Sequence, residues 1–194
     1  MPQLLKTPLG ECEWFKLLGE ARENKFEPTK PRTWTVDFIL DNSNPDHMAW
    51  IEEMEAMYSQ VHGEKKKSSN WFPCSPYKDD PRKKTVVKFK LPEFARKDGT
   101  KSEGPAVFDS ARKFWDQKKL IGNGSKIVIA FDIYAWSGPS GAGMTFQPRQ
   151  VQVVDYKPYV AEPTAAECAF DVVPGGYVDD ENVFDAAPGL TAQD

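Results

Sequence analysis

The sequence predicts a mainly β fold: a five-stranded antiparallel barrel with one α-helix between its second and third strands, followed by a disordered acidic C-terminal tail. Five segments carry strand signals, most of them alternating apolar and polar residues. One segment, from Asn44 to Gly63, has both a helix start and a helix stop. After Lys157 the chain has no Lys, Arg or His and follows neither the strand nor the helix period. The implied organisation is a folded body over residues 1–157 and a tail over 158–194.

The first strand is read at 12–18. Residues 20–32 are polar and contain proline, which suits a loop. Segment 33–40 is a clear strand, with Trp34, Val36, Phe38 and Leu40 on one face and Thr33, Thr35 and Asp37 on the other. Asn44 then offers an N-cap, Pro45 fits the first helical position, and Asp46 lies where the helix dipole favours an anion. Met48, Ile51, Met54 (or Glu55), Tyr58 and Val61 recur at helical spacing up to Gly63. Such a stripe should lie against the sheet or plug one end of the barrel.

Residues 64–83 form a long basic loop with Pro73, Pro76 and Pro81. Segment 84–91 returns as a strand, with Lys84, Lys88 and Lys90 on one face and Thr85, Val87 and Phe89 on the other. A polar loop over 92–104 turns at Asp98-Gly99. Residues 106–119 mix short strand and loop. The strongest strand is 125–136, with Ile127, Ile129, Phe131, Ile133 and Ala135 on its core face and Val128, Asp132, Tyr134 and Trp136 opposite. A Gly-rich hairpin leads into a strand over 144–156, whose first half has few apolar residues and is expected to be largely exposed. Two strands, a helix, a strand and a long hairpin match an OB-type barrel, an architecture that binds oligonucleotides across one face and in its loops.

Charge is segregated along the chain. The stretch 158–194 carries eight of the 29 acids and none of the 25 bases, so residues 1–157 carry 25 bases against 21 acids. Within residues 64–101 twelve bases stand against five acids, interleaved with Trp71, Phe72, Tyr77, Phe89 and Phe94. Cations that meet phosphates and flat rings that stack on unpaired bases are what an exposed nucleic-acid strand requires. A solvated charged face over buried rings is the plain alternative.

Other chemistries find little support. Cys12, Cys74 and Cys168 are odd in number and widely spaced, which argues against a disulfide framework and for a reducing compartment. His47 and His62 have no ligand partners nearby and read as ordinary helix residues, so no metal site is expected. No phosphate-binding Gly-Lys loop or nucleophile elbow is present, and no cofactor or enzymatic activity is expected. The start of the chain lacks an apolar signal segment, and no apolar run is long enough to span a bilayer. A soluble, intracellular protein is the expectation.

Pro31-Arg32-Thr33-Trp34-Thr35-Val36-Asp37-Phe38-Ile39-Leu40, then Asn44-Pro45-Asp46 and a helix, then the 125–136 strand and the run 143–155, together resemble the single-stranded DNA-binding proteins of tailed bacteriophages. The resemblance spans roughly residues 10–157, with the tail similar in character. It implies a protein that coats single strands in phage DNA replication, recombination and repair, in the cytoplasm of the host cell. It also implies an acidic tail that occupies the DNA groove in trans, supports a homodimer, and contacts the replicative polymerase and helicase. The tail residues singled out are Asp179, Asp180, Glu181, Phe184 and Asp185. The last aromatic is Phe184 and the acids are spread over the tail, whereas the family often ends in an aromatic residue.

The expected phosphate track is Lys84, Lys88, Lys90 and Lys65, Lys66 and Lys67, aided by Arg82, Lys83 and Lys97. The expected stacking rings are Trp71, Phe72, Tyr77, Tyr134 and Trp136. Trp14 and Trp34 are further candidates for stacking, although each also fits the core on its own strand pattern. A protein–protein adaptor that uses the basic loop and acidic tail is the alternative reading, and a magnesium-dependent nuclease is a third.

Overall fold

A computed structural model describes residues 4–161. The predicted tail, with Asp179, Asp180, Glu181, Phe184 and Asp185, lies outside them.

In chain order the elements are β1 (Leu5–Lys6), β2 (Gly10–Lys16), β3 (Thr33–Asp41), α1 (Pro45–His62), β4 (Cys74–Pro76), β5 (Lys84–Pro92), β6 (Ala106–Phe108), β7 (Ser125–Gly138) and β8 (Gly141–Asp155). The five predicted strands are β2, β3, β5, β7 and β8. They hydrogen-bond in the order β7-β2-β3-β5-β8, and β8 returns to β7, which closes the barrel. Most pairings are antiparallel. The β5–β8 contact at Phe89 and Phe146 is parallel, because β8 must run against β7 and still meet β5. The short strands β1, β4 and β6 add to the edges of this ring.

Inward alternation fills the barrel with phenyl rings. Phe38, Phe89, Phe131 and Phe146 are fully buried. Their centroids lie 5.0 Å apart for Phe131–Phe146, 5.2 Å for Phe89–Phe131 and 6.1 Å for Phe38–Phe89, in tilted and edge-to-face arrangements that suit the ring quadrupole. Trp50 of α1 reaches the same cluster, 6.0 Å from Phe131 and 6.2 Å from Phe146, so the helix packs over the barrel interior as expected.

The helix begins as predicted. The Asn44 side chain accepts a hydrogen bond from the Asp46 N–H, and Gly63, at φ 61°, donates its N–H to the Ser59 carbonyl. Its buried face differs from the predicted stripe: it is His47, Trp50, Met54, Tyr58 and His62, and Val61 is exposed. Polar ties to the strands account for the rotation. His47 Nδ1 accepts from the Asp41 N–H at 2.9 Å, which leaves Nε2 to donate to the Leu9 carbonyl at 2.9 Å. His62 Nε2 meets the Gly143 carbonyl at 2.8 Å, Trp50 donates to the Lys6 carbonyl, and Tyr58 donates to the Lys65 carbonyl. Backbone groups at strand ends thereby gain the partners that buried polar groups need.

Two strand expectations change. The first half of β8 is not exposed: Met144, Phe146 and Pro148 are buried, because this strand completes the ring. On β7, Ile127, Ile129 and Phe131 are buried as expected, but Ile133 is half-buried and Ala135 exposed. Past a register shift at Ala130/Phe131 the end of β7 turns toward solvent on both its faces, while its partner β8 stays buried at Met144 and Phe146. The basic 64–83 loop is held onto the barrel: β4 pairs with β5, Ser68 and Lys66 bond to Ala142, and the Met144 N–H bonds to the Trp71 carbonyl.

Candidate nucleic-acid interface

The outward faces of β2, β3 and β5 are set by the same alternation that fills the core. Glu13 faces Asp37 across β2–β3, and Asp37 faces Lys88 across β3–β5, so three charged side chains form one cross-strand row. The 69–79 segment and the outer part of the β7–β8 hairpin border this row. Together they enclose a groove of about 940 Å³, lined by Phe72, Tyr77, Lys78, Lys88, Lys90 and Trp136, with Trp14, Glu13, Asp37 and Asp79 also present. A second hollow of about 500 Å³ shares Lys90 and Thr145 with the first and adds Lys30, Phe94 and Tyr134. The two read as one continuous path over the barrel surface.

Each ring is held in a different way. Phe72 leans edge-on against the core ring of Phe146 at 5.8 Å and is half-buried. Trp136 lies flat across the backbone of its cross-strand partner Gly143; a Cβ there would sit 2.3 Å from the indole, so only glycine allows this approach. Tyr134 and Phe94 are more than half exposed. The Tyr77 hydroxyl donates to Glu13 Oε1 at 2.7 Å, and this bond to a carboxylate pushes the phenol up to about 12. Burial pushes the Cys74 thiol up to about 12 as well, so the one thiol lining the groove stays protonated and unreactive at neutral pH.

The groove is less basic than the sequence window. Lys88 Nζ lies 3.6 Å from Asp37 Oδ1, so a phosphate approaching Lys88 competes with a carboxylate already there. Lys84 Nζ pairs with Glu11 at 3.5 Å and faces a separate hollow with Asp41 and Asp46. These partners sit on neighbouring strands and are invisible in a linear charge count.

Of the predicted set, the structure brings together Phe72, Tyr77, Lys88, Lys90, Tyr134 and Trp136. It places others elsewhere. Trp71 packs on Tyr58 at 5.1 Å, and its ring carries the Lys67 ammonium at 3.7 Å, so this ring is already engaged. Lys65 and Lys66 are exposed on the segment beside the groove. Arg82 and Lys83 occupy the exposed turn before β5, where Lys83 lies 3.8 Å from Asp80. Lys97 is exposed in the 92–104 loop, outside both hollows. Trp34 is buried as its strand pattern suggests. The structure turns Trp14 out onto the groove and adds Phe94. Phe94 stood in the basic window without a strand pattern to give it a direction, and alternation left Trp14 open between core and groove.

Among the described residues, no group of three His, Cys, Asp or Glu side chains could hold a metal ion, and no helix is long and apolar enough to cross a membrane.

No family model matches the chain. A single-stranded DNA-binding protein of Enterobacteria phage T3 is 30% identical over 152 residues, a match covering 76% of this chain and 65% of the relative. The chain thus spans just under two thirds of the length of that relative. Among solved structures, gp2.5, a single-stranded DNA-binding protein encoded by bacteriophage T7, superimposes with a TM-score of 0.57 at 19% identity, covering 91% of this chain and 98% of that one. The single-stranded DNA-binding protein of bacteriophage Enc34, solved in complex with ssDNA, does so with a TM-score of 0.59 at 13% identity, covering 80% and 88%. The sequence and structure likenesses therefore both fall on the phage proteins that the residue pattern resembles, and the barrel with one helix is the fold they share.

Proposed function

We propose that this chain binds single-stranded DNA without regard to base sequence. The observation that carries the reading is the pair of adjoining hollows, joined at Lys90 and Thr145, that bring Lys88 and Lys90 together with Phe72, Tyr77, Trp136 and Tyr134. The lysines meet phosphates, and the rings stack on bases, each stack contributing about 1–3 kcal/mol whatever the base. A base in a duplex has both faces covered by its neighbours, so the rings favour unpaired strands. The exposed Lys65, Lys66, Arg82, Lys83 and Lys97 lie off the groove and act at longer range, drawing the polyanion in.

The coating of strands exposed in phage DNA replication, recombination and repair, in the host cytoplasm, is the role that the likeness to the T3 protein supports. We further infer a division of labour between residues 1–157, which hold the strand, and 158–194, which carry eight acids and no base. The acidic segment competes with DNA for cations, supports a homodimer, and contacts polymerase and helicase through Asp179, Asp180, Glu181, Phe184 and Asp185.

Titration of the full chain with an oligothymidine tests the reading, followed by intrinsic Trp fluorescence at low and high salt. Quenching that weakens with salt, and that tightens when the chain is cut after Val160, is the expected result. No binding by either form overturns the reading in favour of the protein–protein adaptor.

A further inference from the structure

Trp14 departs from the pattern of its own strand. Gly10 and Cys12 are buried on the inward face, and strict alternation sends Trp14 after them. Between Glu13 and Lys16, however, β2 has one residue more than β3: Glu13 faces Asp37, and Lys16 faces Thr35. An inserted residue of this kind re-aims a side chain. Here it turns the indole out of the barrel, leaving it 60% exposed on the groove that Tyr77, Lys88 and Trp136 also line.

The backbone bears the strain of this arrangement. Trp14 has φ 50°, in the left-handed region where a side chain's Cβ crowds the following carbonyl and where bulky residues are rare. A residue distant in sequence holds it there. Asn123 Oδ1 accepts a hydrogen bond from the Trp14 N–H at 2.9 Å. The turn that carries Asn123 is pinned to the same strand by the Gly124 N–H, which donates to the Cys12 carbonyl at 2.8 Å. In the free protein a large ring in water and a left-handed backbone are both unfavourable, and such strain persists where surrounding structure enforces it at a functional site.

We propose that Trp14 is a preset stacking platform for an unpaired base, and that Asn123 is the positioning residue that keeps it turned outward. The proposal rests on the single-strand reading and assigns that reading a further contact. Lys88 on the same groove supplies a cation for the adjoining phosphate.

The full chain and its variants are titrated with a dye-labelled oligothymidine by anisotropy, which does not depend on Trp emission, and each is melted by circular dichroism. Glycine adopts positive φ freely, so Trp14→Gly removes the ring and the strain together. Its affinity is expected to fall about 5- to 150-fold, which is the 1–3 kcal/mol of one stack, while its melting temperature stays level or rises. Trp14→Phe keeps a ring and most of the affinity. Asn123→Ala weakens binding in the wild-type background but not in the Trp14→Gly background, and Asn123→Asp, which retains an acceptor oxygen, restores it. If the wild type binds and Trp14→Gly binds equally well, the platform is overturned while the single-strand reading stands. A lower melting temperature for Trp14→Gly with unchanged affinity makes Trp14 a structural residue and also overturns it. If the wild type fails to bind, the single-strand reading itself falls.

Discussion

The barrel interior and the groove outside it draw on the same residue types to opposite ends. Phe38, Phe89, Phe131 and Phe146 are fully buried, and each packs against others of the four. Trp14, Phe94 and Tyr134 are more than half exposed and line hollows that no side chain fills. Interior rings stabilise the fold because removing them from water is favourable and their shape is matched. Groove rings lack that gain in the free protein, so their position calls for a second cause, which a stacked base supplies. The cations differ in the same way: Lys67 is committed to Trp71, whereas Lys90 lines both hollows and forms no ion pair among the described residues.

Truncation separates the two regions most sharply. Phe131→Ala removes a ring that touches Phe89, Phe146 and Trp50 and leaves a cavity in a closed ring of strands. A loss of about 3–5 kcal/mol in urea denaturation is expected, a large part of the stability of a domain of this size. The affinity of the fraction still folded should be nearly unchanged. A large affinity loss with wild-type stability would erase the distinction between the regions. Tyr134→Ala should do the reverse. Its stability should stay within about 0.5 kcal/mol of wild type, since the ring is mostly in water, while oligothymidine binding weakens by about 1–3 kcal/mol. Unchanged affinity would remove the second hollow from the path.

The two regions were also unequally legible in the sequence. β3, β5 and the first half of β7 could be read because a strand buried on one face must alternate, and the start of α1 because Asn44 and Pro45 satisfy a helix N-terminus locally. The buried face of α1 was misread by one position at its start and end, since His47 and His62 are buried through hydrogen bonds to Asp41, Leu9 and Gly143, which no hydrophobic period records. β8 does alternate Met144, Phe146 and Pro148 against Thr145, Gln147 and Arg149, but its Gly- and Pro-rich setting hid that signal. The choice between groove and core for Trp14 was beyond reach. The direction of the indole depends on an inserted residue and on an acceptor 109 positions away. The lysine row on β5 was correctly assigned to the outer face, but not the carboxylates of β2 and β3 that meet it.

Those carboxylates set the smallest expected effect and the finest test of the groove. Lys88 is largely exposed, and its 3.6 Å contact with Asp37 is of a kind that contributes about 0–1 kcal/mol to folding, so Lys88→Ala should scarcely alter stability. Its effect should appear in the salt dependence of binding. Each phosphate neutralised on a single strand contributes about 0.7 to the slope of log affinity against log salt, and Lys88→Ala should lower that slope by up to this amount, equally for all base sequences. The loss should also exceed that of deleting an isolated cation, because Asp37 is left facing the phosphate with its charge unopposed. Asp37→Asn should therefore recover part of the affinity in the Lys88→Ala chain, and alone it should tighten binding by freeing Lys88. An unchanged slope in Lys88→Ala would mean that the outer face of β5 does not follow the phosphates, and the path would then have to run along the exposed lysines of the 64–83 segment.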